Sequence, residues 1–367
     1  MPFVRPRVEP SAALMARLHA VLASGHLSNG GPCVRELEVR LGDRLGCQVL
    51  AVANGTVALQ AALSLVQRPG RVVIPSFTFL ATANAVRAVG RDLVFCDVDP
   101  GRWTLDPSSL AALLDAHDDI AAVVAVNVYG QPAPMAAIVE LCRPRDIDVF
   151  IDNAHGFGSS EAGQPWPDGV RAAAHSMHAT KVLPAAEGGF VAVASEQDGA
   201  RIAKLRNHGH AEAPGDIEPG FNAKLSELHA AVALEGLATI DQVLAERRGH
   251  LRTLRESVLA LPGQPLQLQA ARADVVENGQ NFVVATPPGA CLRWADALAE
   301  LGIGSRRYFW PSLTAISSLA GSGVTPVADA VAARVLALPL WSGMSAEDVA
   351  RLASSLAIAA ARCQEAR

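Results

Sequence analysis

The spacing of apolar and polar positions alternates between two periods over the first half of the chain. Short apolar runs of strand length fall at Val49–Ala53, Arg71–Pro75, Asp92–Cys96 and Gly189–Ala194. Ile120 to Val128 is almost continuously apolar, as in a central parallel strand covered on both faces. Val149, Phe150 and Ile151 form another buried run, which ends in Asp152. Between these runs helical spacing takes over. Leu14, Leu18 and Leu22 share one face of a helix from Ser11 to Ser24, and Val34, Leu37 and Leu41 share one face of the next. Further helices are predicted over Val57–Leu65, from Thr78–Ala81 onward, over Asp106–Leu114 and over Met135–Arg143. Strand and helix in alternation with short turns predict a doubly wound α/β domain with a mainly parallel sheet.

Past His210 comes a Gly/Pro-rich loop, and Gly220 to Glu227 opens a long helix with Leu228, Ala231 and Leu234 at helical spacing. From about residue 236 the pattern changes. Ile240–Leu259 reads as a charged helix, Gln280–Thr286 as a strand, and Cys291–Leu301, Ala328–Leu336 and Ser345–Ala361 as helices. The organisation predicted is an N-terminal arm and large domain over residues 1–235 and a smaller C-terminal α/β domain over residues 236–367.

Composition narrows the class. Half of the 367 residues are hydrophobic and 18% are charged, which is a chain able to bury a large core. The net charge is −5 with no basic run, which argues against a nucleic-acid partner. Six cysteines, at 33, 47, 96, 142, 291 and 363, form no Cys-x-x-Cys pair, so no metal site is expected. No apolar run approaches the ~18 residues of a membrane span and the N-terminus has no signal-peptide core. The expected location is the cytoplasm, with no membrane partner.

The chemistry gathers between Asp148 and Gly189. Only three residues of the whole chain are lysines, Lys181, Lys204 and Lys224; the remaining fixed positive charge is arginine. A lysine kept in such a background is either an ordinary solvated side chain or one whose amine is needed. Arginine holds its proton at any relevant pH, whereas an amine can lose it and attack a carbonyl. Asp152, just past a buried strand, is where α/β sheets place chemistry. A lysine and an acid together match the needs of pyridoxal phosphate: an amine to join its aldehyde and a carboxylate to hold its ring-nitrogen proton. Ser176, five residues before the lysine, suits its phosphate. Asn54-Gly55-Thr56 between a strand and a helix is an anion-binding arrangement as well as a plain turn.

DNAHGFGS, then HSMHATK and EGG, resembles the DegT/DnrJ/StrS family of pyridoxal-phosphate-dependent sugar aminotransferases, which shows Asp-Ala-Ala-His/Gln, Ser-Phe-His-x-Thr-Lys and Glu-Gly-Gly in the same order. The resemblance covers nearly the whole chain and implies the fold-type I architecture, a large domain with a mainly parallel sheet plus a small C-terminal domain. It implies Lys181, Asp152 and His155 as catalytic residues. It implies Gly55, Thr56, Val57, Phe79, Asp152, His155, Ser176, Lys181 and Asn222 around the cofactor, with Phe79 stacked on the ring and Asn222 reaching a partner subunit's phosphate. Lys224, in place of the family's arginine, and Arg306 and Tyr308 of the Arg306–Pro311 segment are implied at the substrate, although that segment also reads as a packed turn. The implied reaction moves an amino group from L-glutamate to a nucleotide-linked keto-sugar, a dTDP-4-keto-6-deoxy sugar by analogy, by way of pyridoxamine phosphate, in a homodimer. A 3-keto-sugar or ketocyclitol acceptor stays open, as does a pyridoxal-phosphate-binding regulatory protein without turnover. The family's sugar 3-dehydratases carry histidine in place of the lysine, so Lys181 favours transamination.

Overall fold

Every side chain of Ile120–Val126 is buried, and a seven-stranded sheet forms around that run. The computed structural model describes residues 1–164, 167–210 and 217–365, so most of the Gly/Pro-rich loop after His210 lies outside the described residues. The large sheet is built from β1 (Gln48–Val52), β2 (Arg71–Pro75), β3 (Leu93–Cys96), β4 (Ile120–Val126) and β5 (Asp148–Asp152). After the two-residue β6 (Ser160–Glu161), β7 (Ala172–Ser176) and β8 (Gly189–Val193) complete it. Their spatial order is β1-β8-β7-β5-β4-β2-β3. Six strands run one way and only β8 runs against its neighbours, pairing antiparallel with both β7 and β1.

The two side-chain sets of each strand face different cores, as the period of two requires. Val72, Ile74, Ala122, Val124 and Phe150 pack under α3 (Gly55–Leu63) and α4 (Leu80–Ala88); α1 (Ala12–Ser24) and α2 (Pro32–Leu45) precede them in the chain. On the other face Val73, Val123, Ala125, Val149 and Ile151 pack against α5 (Pro107–Ala116) and α6 (Met135–Cys142). At the β1 edge, Val49, Ala51 and Phe190 meet Leu37 and Leu41 of α2. Beyond α7 (Glu196–Leu205), helix α8 (Glu227–Ala238) joins that same cluster through Ala230 and Leu234. Both faces are thus covered, which is why β4 reads as one unbroken apolar run.

A second core lies in the C-terminal part. Helix α9 (Ile240–Leu259) follows α8 across a 64° bend. Two short strands, β9 (Gln267–Leu268) and β10 (Val275–Val276), precede β11 (Phe282–Ala285) and α10 (Cys291–Glu300). Then come α11 (Pro326–Arg334), β12 (Val335–Leu338) and α12 (Ala346–Glu365). The antiparallel sheet β12-β11-β9 packs Phe282, Val284, Leu336 and Leu338 against Leu254, Trp294 and Leu356 of the surrounding helices.

The helix expected over Ala328–Leu336 stops at Arg334, and the next four residues are strand β12. Val335–Leu338 is buried throughout and pairs with all of β11, so long-range pairing overrides a local pattern that continues as helix. The Asp97–Pro100 turn ties the two parts of the chain together. Asp97 accepts from the N–H groups of Val327 and Ala328 at 3.0 and 2.8 Å and so closes the start of α11. Among the described residues no single helix is long and apolar enough to cross a membrane.

Candidate active site

The C-terminal ends of β1, β5 and β7 deliver three separate groups to one cavity of about 530 Å³. β5 ends in Asp152, β7 ends in Ser176, and β1 runs through Asn54 into α3. Parallel strands ending at one edge are what bring residues this far apart in sequence together.

At the α3 end, Asn54 Oδ1 accepts from the N–H of Val57 at 2.9 Å. Helix geometry leaves the Gly55 and Thr56 amides without partners inside the helix, at its positive end. A Cβ on Gly55 would stand 2.7 Å from Ser176 Cβ, so glycine lets the strand-end hydroxyl press against the helix start. The result is a pair of amides and a hydroxyl around one point of the cavity.

Asp152 Oδ2 accepts from Thr82 Oγ1 at 2.7 Å and Oδ1 from the Ala154 N–H at 3.1 Å. Burial raises its pKa, against the two hydrogen bonds and Lys181, which lower it. Lys181 sits in the loop between β7 and β8, tied back by its own N–H to His178 C=O at 2.9 Å. Burial pushes its ammonium down to about 8, opposed by the Asp152 carboxylate. The amine is therefore partly unprotonated near neutral pH, which a nucleophile and proton carrier requires.

His155 belongs to a triangle of near-parallel rings, whose other two members, Tyr129 and Phe309, lie 5.8 Å from each other. Tyr129 and Phe309 stack with it at centroid distances of 6.3 and 6.0 Å, with planes within 20° and 18°. Burial holds its pKa well below the usual imidazole value, so it is neutral. Nδ1 accepts the Tyr129 N–H at 3.3 Å, which leaves the proton on Nε2 as a donor. Phe79, the residue before α4, also lines the cavity and is 57% exposed.

The family model for the DegT/DnrJ/EryC1/StrS aminotransferases matches residues 10–357. The chain belongs to this family. Protein Rv3402c of Mycobacterium tuberculosis is 30% identical over 97% of this chain and 89% of its own length. The dTDP-4-amino-4,6-dideoxy-D-glucose transaminase of Shigella dysenteriae is 26% identical, over 96% of this chain and 97% of its own. The crystal structure of DesI with its TDP-sugar product superposes with a TM-score of 0.91 at 31% identity, covering 100% of this chain and 94% of that one.

Aminotransferases of this family depend on pyridoxal phosphate. The donor set here fits that group: two helix-start amides with a hydroxyl for a phosphate, a carboxylate for a ring nitrogen, an imidazole N–H for a ring oxygen, an exposed aromatic ring and an amine of lowered pKa. Of the residues singled out by sequence, Gly55, Thr56, Val57, Phe79, Asp152, His155, Ser176, Lys181 and Tyr308 line the one cavity. Asn222, Lys224 and Arg306 do not. Lys224 Nζ donates to Asn222 Oδ1 at 2.8 Å, on a segment that bridges Val52 beside the end of β1. Arg306 is exposed and its backbone exchanges two hydrogen bonds with Ala337.

Gln280 and Arg247, from the C-terminal part, also line this aminotransferase cavity. Gln280 brackets the lysine. Its Oε1 accepts from the Val182 N–H at 3.1 Å and its Nε2 donates to the Thr180 carbonyl at 3.0 Å. Arg247 is buried and donates to the carbonyls of Gly279, Gln280 and Leu340 at 3.0, 2.9 and 3.1 Å, and to Ser342 Oγ at 3.2 Å. A lone glutamine before a strand and one arginine in a charged helix carry no local sign of either role.

Proposed function

We propose that this aminotransferase moves an amino group from L-glutamate to the C4 ketone of a dTDP-linked 4-keto-6-deoxy sugar. The observation that carries the reading is Lys181, an amine held near pKa 8 in the cavity whose wall also presents Asp152. The acceptor is argued from relatives whose names specify dTDP- or TDP-linked sugars across nearly the full length of this chain.

Bound here, pyridoxal phosphate supplies an aldehyde to take up the amino group and a ring to receive the electron pair released when the neighbouring C–H bond breaks. Gly55 and Thr56 N–H groups, with Ser176 Oγ, hold its phosphate. Asp152 keeps the ring-nitrogen proton, and His155 donates Nε2–H to the ring oxygen. Phe79 covers one ring face. Lys181 takes the proton from the donor Cα, and glutamate leaves as 2-oxoglutarate. In the return half the ketone oxygen would leave as water when the amino group is taken up, and Lys181 would place a proton on sugar C4, so the ketone becomes an amine. Asn222 and Lys224, outside the cavity of their own chain, serve a partner's cavity in a homodimer. Six free cysteines, five of them buried, suit a reducing cytoplasm.

The test is an absorbance spectrum of the holoenzyme before and after L-glutamate, then after each of several nucleotide-linked keto-sugars. Bleaching by glutamate and recovery with a dTDP-4-keto-6-deoxy sugar is the expected result. Recovery only with a ketocyclitol would replace the acceptor. Wild-type turnover by K181A would remove Lys181 from the mechanism.

A further inference from the structure

The family resemblance implied Arg306 and Lys224 at the substrate, yet neither lines the cavity. Arg5 and Arg7 do, carried by an N-terminal arm that precedes the region matched to the family. The arm is docked at two points, both on the C-terminal part of the chain. At one, the N–H of Gly304 donates to the Met1 carbonyl at 2.9 Å, and a Cβ on Gly304 would stand 2.9 Å from the Phe3 nitrogen. The Phe3 ring meets Tyr308 edge-on at 5.6 Å. At the other, a Cβ on Gly343 would stand 2.6 Å from Arg7 Nη1. Residues 3–7 are thus laid as a wall of the cavity between two places where glycine makes room for them.

The cations on this cavity are unequally occupied. Lys181 faces Asp152, Arg247 spends its donors on carbonyls, and Arg7 is paired with Glu9. The exposed Arg5 guanidinium has no hydrogen bond or ion pair with any described residue. A five-donor fork with nothing to bind, on the wall of an anion-accepting site, matches phosphate oxygens.

We propose that Arg5 binds the diphosphate of the nucleotide-linked acceptor and that the arm is its recognition strap. The inference rests on the acceptor proposed above. Only the sugar of such a substrate need reach Lys181, so its nucleotide end lies toward the solvent-facing rim, where the arm runs. L-glutamate needs no contact there.

The experiment titrates dTDP into the pyridoxal-phosphate holoenzyme by calorimetry at low salt, with R5A, R5K and the surface control R362A. A charge-assisted hydrogen bond is worth ~1.5–3 kcal/mol, so R5A is expected to weaken dTDP binding about 10- to 100-fold. R5K should fall between, since a lysine keeps the charge without the fork, and R362A should match wild type. The glutamate half-reaction of R5A should keep its wild-type concentration dependence. Equal dTDP affinity in R5A and wild type overturns the inference alone if wild type still aminates a nucleotide-linked keto-sugar. A raised glutamate requirement in R5A with dTDP binding intact reassigns Arg5 to the donor and overturns it too. Wild type that ignores dTDP and turns over only a ketocyclitol removes the acceptor reading, and this inference with it.

Discussion

Replacing Lys181 by methionine is expected to stabilise the cofactor-free protein at neutral pH, by an amount that fades as the pH rises. Burial takes the Lys181 amine from 10.5 to about 8 in the folded chain, with Asp152 opposing. In the unfolded chain it returns to ~10.4. Between those values the unfolded state binds a proton that the folded state does not, so stability climbs with pH. Below about pH 8 the full cost of the buried charge is present. At about 1.36 kcal/mol per pKa unit, that cost is roughly 3 kcal/mol. Methionine has similar length, no charge and no such cost. The assay is urea unfolding of the stripped protein from pH 6.5 to 10, wild type against K181M, so that titrations common to both cancel. K181R is the control: its guanidinium stays charged over the whole range, so no recovery at high pH is expected. A K181M protein no more stable than wild type at pH 7, or a gain that does not change with pH, would refute the reasoning.

Three further outcomes follow from the same geometry. G55A places a Cβ 2.7 Å from Ser176 Cβ and should weaken pyridoxal phosphate binding by about tenfold or more, read from the absorbance titration, because the phosphate donors are pushed apart. D152N loses the negative charge and offers one acceptor oxygen where Asp152 uses two, for Thr82 and the Ala154 N–H; the glutamate half-reaction should slow by ~100-fold or more, with a loss of ~1–3 kcal/mol in denaturant unfolding from the one donor left unpaired. Q280L leaves the Val182 N–H and the Thr180 carbonyl unpaired and should lose ~1–3 kcal/mol per orphaned group in denaturant unfolding, with slower turnover from a loosened lysine loop.

Much of this was legible because it is local. The long helix was read with the bounds it has, Ile240–Leu259, since a 3.6-residue period sustained over twenty residues has one solution. β4 was read from its unbroken apolar run, and the position of Asp152 from the end of such a run. Strand β7 was not legible. Three of its five residues, Ala172 to Ala174, are alanines and the strand carries no alternation, yet it hydrogen-bonds to β5 on one side and β8 on the other. Strand β12 was hidden for a related reason, its strand character lying in its pairing with β11.

The chemistry divides along the same line. Residue type and order along the chain sufficed to nominate Lys181, Asp152 and Ser176, because few side chains can do what an imine-forming cofactor needs, whereas His155 came from the resemblance to the family. That they share a cavity depends on β5 and β7 being parallel neighbours with their C-terminal ends together. The pKa of Lys181 depends on burial, which no run of sequence specifies. Gln280 and Arg5 reach the cavity from 99 positions beyond Lys181 and from the opposite end of the chain. Periodicity and residue chemistry act between near neighbours and are written in the sequence. Proximity between distant segments exists only once burial of apolar surface has drawn them together, so the electrostatics and the walls of the site were decided by the fold.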